Sequence, residues 1–229
     1  MKKILIITLA LIAFYNCSEM NDLHQPYLDK GEAIYPAKPD SLISFSGHNR
    51  LKLQWFVQSD LSIKGARIFW NDKADSLDIP ITVTPGVRDT IGAVVENLPE
   101  GGYVFEVVSL DSYGNKSIPV IRSGKSLGDI YSSSLNNRQI LSYKTTTNNI
   151  TFTMSSSDPA DYIYSEFLYY DENNVEVTAA LALDNLQTIK IPLDEIDITK
   201  NIKFRSVYQP FHNAIDLFYT DYKEFIIEE

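Results

Sequence analysis

The residues best suited to chemistry in this chain are aromatic side chains placed beside hydrogen-bonding ones. The run Tyr208-Gln209-Pro210-Phe211-His212-Asn213 puts two rings next to amide and imidazole groups in a segment whose proline breaks a strand. Sugar rings stack their C–H faces on aromatic planes while Asn, Gln and His side chains bond the hydroxyls. Tyr208, Phe211 and His212 are therefore candidate glycan contacts, and Tyr169, from the aromatic run of residues 162–170, joins them. Core and edge-strand packing is the competing account of the same residues, since small sheets are rich in Tyr and Phe.

Catalytic patterns are missing. The three histidines, His24, His48 and His212, lie in separate segments, and no serine sits in a Gly-x-Ser-x-Gly turn. Asp194 and Asp197 make a carboxylate pair of the acid–base kind, but among 30 acidic residues such spacings arise by chance, and a solvated loop explains this one. No His/Cys/Glu spacing suits zinc. Asp158, Asp161 and the Asp171-Glu172 pair offer oxygen ligands for Ca²⁺ without a fixed loop pattern such as the EF-hand. The reading is of no catalytic residue, no metal and no cofactor.

The elements that must position these residues are strands. Leu51, Leu53, Trp55 and Val57 alternate with Lys52, Gln54, Phe56 and Gln58, the mark of a half-buried strand. Further short runs follow between turn residues, among them Pro85-Gly86 and Asp171-Glu172-Asn173-Asn174. No long helical period appears. The expectation is an all-β chain of two tandem sandwiches, at 34–122 and 140–229, joined by a Ser-, Asn- and Gly-rich linker at 123–139.

The segment Leu98-Pro99-Glu100-Gly101-Gly102-Tyr103-Val104-Phe105, continuing to Asp111-Ser112-Tyr113-Gly114-Asn115, resembles the corner and sixth strand of a fibronectin type III domain. Leu98, Tyr103, Phe105, Val107, Asp111, Gly114 and Asn115 fall on that family's positions, and Trp55 on its core tryptophan. The resemblance implies an Ig-like sandwich and says little of activity, because such sandwiches carry many functions. In the second half the strand spacing recurs without the tyrosine-corner signals.

The N-terminus sets an expected location. Lys2 and Lys3 precede the apolar run Ile4–Phe14, a secretory signal too short for the roughly 20 residues of a membrane span. Cys17, the only cysteine, follows it and resembles the acceptor of a bacterial lipoprotein signal, although Asn16 before it departs from the usual small residue. The competing account is ordinary cleavage that leaves a free thiol. Residues 1–16 would then be removed and 17–33 form a lipidated tether. Several acyl chains anchor stably, each buried methylene contributing about 0.8 kcal/mol. Ser18-Glu19-Met20-Asn21-Asp22 resembles the acidic stretch that sends Bacteroidota lipoproteins to the cell surface. Together with the Tyr35-Pro36 entry and Leu135-Asn136-Asn137-Arg138, it resembles an uncharacterised Bacteroidota surface lipoprotein family found beside glycan-uptake systems.

Removing 16 residues from 229 leaves 213, with 18 basic and 30 acidic side chains once Lys2 and Lys3 are gone. That balance excludes binding driven by nucleic-acid phosphates. The expected partners are the outer membrane through the lipid, glycan, and proteins of an uptake complex. The expected role is a non-enzymatic accessory module that binds or presents glycan. A structural spacer or protein-docking module without glycan contact is the alternative.

Overall fold

A computed structural model describes residues 35–155, 161–182 and 187–227. The expected signal, Cys17 and the tether lie outside these residues, as does Asp158. In chain order the first half contains β1 (Asp40–Gly47), β2 (Arg50–Val57), β3 (Ile63–Trp70), β4 (Asp75–Pro80), β5 (Asp89–Glu96), β6 (Gly101–Asp111) and β7 (Val120–Ser126). A short helix, α1 (Asp129–Ser134), leads to β8 (Ile140–Thr145), β9 (Asn149–Met154), β10 (Tyr162–Tyr170), β11 (Glu176–Leu181) and β12 (Thr188–Pro192). β13 (Ile202–Tyr208), β14 (Phe218–Tyr219) and β15 (Lys223–Phe225) complete it.

The strands form two sandwiches with one topology. In the first, β1-β2-β5 faces β4-β3-β6-β7. In the second, β8-β9-β12 faces β11-β10-β13, with β14 and β15 pairing successive stretches of β13. All these pairings are antiparallel, as the resemblance to fibronectin type III domains implies. Among the described residues no helix is long and apolar enough to cross a membrane.

Alternation builds each core. In β2, Leu51, Leu53, Trp55 and Val57 are buried while their neighbours stay partly exposed. They meet Ile63, Ala66, Ile68, Phe105 and Val107 of the opposite sheet. Full burial of a side chain of this size stabilises by roughly 1.5–3 kcal/mol. The Trp55 Nε1–H is buried without a hydrogen-bond partner among the described residues. Tyr103 stacks on Phe105 at 6.0 Å and donates its hydroxyl to Pro99 O at 2.9 Å, closing the corner. Asp111 ties the next turn by accepting the N–H groups of Tyr113 and Asn115, and Gly114 supplies the φ of 82° that the turn requires. The second core has Phe152, Phe167 and Phe204 in file, at 5.3 and 5.7 Å.

The stretch 123–139, expected to be linker, is mostly structure. β7 runs through Ser126, and α1 occupies its middle. Its last residues belong to the second sandwich. Asn137 Oδ1 accepts the N–H of Ser206 and the hydroxyl of Thr220, both at 2.7 Å, and the buried Arg138 donates its N–H to Ser206 Oγ at 2.8 Å. Polar side chains that read as loop here satisfy β13 at Ser206, between the stretches that pair with β15 and β14.

Candidate functional site

β13 ends at Tyr208, and the chain turns through a 3-10 segment, Pro210–His212. Pro210 is buried and anchors the turn. Phe211 and His212 both have φ of 57°, a left-handed backbone that costs a non-glycine residue roughly 1–2 kcal/mol. The turn holds them there. The N–H of Ala214 donates to Pro210 O at 3.0 Å, that of His212 to Gln209 O at 3.2 Å, and Gln209 Nε2 to Ala214 O at 3.0 Å. The result is a phenyl ring 55% exposed to solvent. Backbone strain that surrounding structure over-determines is a pointer to function.

The ring borders a shallow groove of about 340 Å³ shared by both sandwiches. Phe211 and Asn213 form one wall; Ser44, Ser46, Ser123 and Lys125 form the other. Ser44 donates its hydroxyl to Ser123 O at 2.8 Å, drawing β1 to β7. A Cβ on Gly124 would lie 2.7 Å from Leu51 Cδ1, so only glycine allows that approach.

An ion pair beside the groove joins the two sandwiches. Arg50 donates from Nε to Asp216 Oδ2 at 2.9 Å and from Nη2 to Oδ1 at 2.6 Å. His48 N–H donates to the same carboxylate at 2.8 Å, and Ile215 N–H to Ser46 O at 2.8 Å. The Arg50 hydrogen bonds hold the Asp216 carboxyl below its ordinary value. Gly47 leaves room for this contact: a Cβ there would stand 2.7 Å from Asp216 Oδ2.

The expected contact residues divide. Phe211 and His212 are exposed on the loop. Tyr208 is only 3% exposed, its ring edge-on to Tyr162 at 5.9 Å, and it donates its hydroxyl to Asn136 O at 2.6 Å. Its edge reaches a separate cleft beside α1, lined also by Tyr131 and Asp161. Tyr169, also 3% exposed, belongs to the second core; parity on β10 sends it inward and Tyr170 outward. Tyr169 and Tyr208 are thus packed residues with no ring face open for stacking, a correction to their expected role. The exposed rings near the C-terminus also have a local partner: Tyr219 and Tyr222 flank the Arg205 guanidinium at 4.3 and 4.6 Å.

Among the carboxylates, Asp197 accepts the N–H and hydroxyl of Thr199, and Asp171 accepts the N–H groups of Asn173 and Val175. Both are turn-forming. Among the described residues no group of three or more His, Cys, Asp or Glu side chains is placed to hold a metal. Arg50 and Asp216 carry no signal in the sequence, because their relationship spans both sandwiches, whereas Asn213 belongs to the aromatic run that marks the loop.

A family profile described as a domain of unknown function, DUF4998, matches residues 17–218. Among solved structures, the chain is similar to a two-domain fibronectin type III segment of chicken tenascin, at 12% identity and a TM-score of 0.33, over 84% of this chain and 100% of that one. It is also similar to the FN1–FN3 domains of chicken CNTN1, at 12% identity and a TM-score of 0.41, over 86% of this chain and 69% of that one. Among curated proteins none matches.

Proposed function

We propose, from the premise that the chain belongs to the DUF4998 family of domains of unknown function, that it is a non-enzymatic glycan-binding module displayed on a bacterial surface. Cys17 carries the lipid that anchors it in the outer membrane, and the two sandwiches present glycan to an uptake complex. The observation that carries the reading is Phe211, an exposed ring in a strained, well-braced turn beside a groove of hydroxyl, amide and ammonium groups. The ring gives a sugar a flat apolar face, while Asn213, the serines and Lys125 offer partners to its hydroxyls.

Affinity electrophoresis against a panel of polysaccharides tests this. Wild type should be retarded by at least one, and Phe211→Ala less so. Wild type retarded by none would overturn the reading. A spacer or docking module is then the second reading, favoured by the Arg50–Asp216 pair, which links the two sandwiches directly.

A further inference from the structure

A second cleft, on the first sandwich, is lined by three aromatic side chains where the Phe211 groove has one. It measures about 380 Å³, within the roughly 300–1,000 Å³ of ligand pockets. Phe69, Trp70 and Tyr103 line it, at the end of β3 and the start of β6. Its rim is the β3–β4 turn, where Asn71, Asp72 and Lys73 have φ of 49°, 53° and 67°. Three successive non-glycine residues in left-handed conformation form a costly arrangement, and Lys73 lacks the short polar side chain that eases it. The turn is braced by Ala74 N–H donating to Asn71 O at 3.0 Å and by Asn71 Nδ2 donating to Asp75 Oδ2 at 2.6 Å.

The electrostatics narrow the ligand. Lys73 pairs with Glu106 at 2.8 Å, so the strongest charges at the cleft cancel. Asp72 is exposed and has no ion-pair or hydrogen-bond partner among the described residues, which disfavours an anion. Metal binding is disfavoured by the lack of any cluster of three ligating side chains among those residues. Strand parity puts Trp70 and Tyr103, both against Phe105, on the core side of the cleft and Phe69, beside Lys73 and Lys116, on the outer side. Rings from two faces beside the hydrogen-bonding groups of the turn suit a neutral, polyhydroxylated ring with apolar C–H faces. Gly102 borders the cleft, and a Cβ there would enter open space, with nothing within 4 Å.

We propose that this cleft is a second binding site, for a neutral saccharide unit, with Trp70 as its stacking platform. It extends the glycan reading to a second locus but stands on different residues. Two occupied sites on one chain would raise the avidity for a polymer without any new contact.

The chain has two tryptophans, Trp55 fully buried and Trp70 at the cleft, so 5-fluorotryptophan labelling of the whole protein yields one ¹⁹F resonance from each. Trp70→Phe assigns them. Titration with cello-, xylo-, manno- and maltohexaose should shift the Trp70 resonance with at least one sugar and leave Trp55 unmoved. The shift should persist in Phe211→Ala. In Gly102→Leu, which fills open space and leaves the core untouched, apparent affinity should fall at least about tenfold. A Trp70 resonance unmoved by every sugar would overturn the proposal, as would a response indifferent to Gly102→Leu. Retardation lost in Phe211→Ala, with Trp70 silent, would remove this cleft and leave the loop site standing; silence in both assays removes both.

Discussion

Arg50 and Asp216, 166 residues apart, meet in a two-pronged ion pair that joins the β1–β2 turn of the first sandwich to the β13–β14 loop of the second. The carboxylate also accepts the His48 N–H, so side chain and backbone of one sandwich converge on one group of the other. The loop that carries Phe211 leaves this contact through Ala214 and Ile215.

Asp216→Asn should cost about 1–2 kcal/mol, toward the low end for charged hydrogen bonds because Arg50 is about one-third exposed. Small-angle scattering should show a broader distribution of sandwich orientations in the variant. The double variant Arg50→Asp, Asp216→Arg should recover part of the loss. An unchanged profile for Asp216→Asn would mean that the backbone contacts suffice.

The pH dependence follows from the same pair. Arg50 lowers the Asp216 value in the folded protein, below the roughly 3.9 of an unfolded aspartate. The stabilisation is therefore complete above about pH 4 and is lost as pH falls through the folded value. Chemical denaturation at steps below pH 4 should show wild type and Asp216→Asn converging.

Trp55→Ala should destabilise the first sandwich by about 3–5 kcal/mol, read from urea midpoints, since the indole is wholly buried. A change below about 1 kcal/mol would contradict the packing of β2.

Phe211→Gly should leave stability unchanged or raise it by up to about 1 kcal/mol. Relief of the left-handed strain outweighs the added chain entropy, and an exposed ring contributes little packing. The same variant should bind polysaccharide less well. A loss of stability would show that the ring packs as structure.

Cys17→Ala should release the protein from the membrane fraction and abolish labelling by a fatty-acid analogue. Retention would exclude lipidation as the anchor.

Local signals in the sequence were legible where one strand or one turn decides the outcome. Alternation along residues 50–57 predicts the buried face of β2, and Asp111-Ser112-Tyr113-Gly114-Asn115 predicts its turn because one carboxylate and one glycine close it. The 135–138 stretch reads as linker because its polarity serves partners about 70 residues away, such as Ser206 for Asn137. The orientation of Tyr169 is hidden for a related reason. Strand parity requires that Tyr169 and Tyr170 face opposite ways, but only the packed sheet shows which faces inward. Asn71-Asp72 marks the turn beside the Phe69–Trp70 cleft, but the cleft itself depends on β3 and β6 lying side by side, which no local pattern shows.

The late position of Asp216 also orders events during synthesis. The first sandwich has all its strands once Ser126 has emerged, yet the group that grips its Gly47–Arg50 turn lies 90 residues further on. At about 5–20 residues per second that interval lasts roughly 5–20 s. Throughout it Arg50 has Glu96 of its own sandwich as its ionic partner. The second sandwich must complete β13 before the β13–β14 loop can reach back, so the nascent chain passes from a jointed pair of units to a clasped one only once Asp216 has emerged.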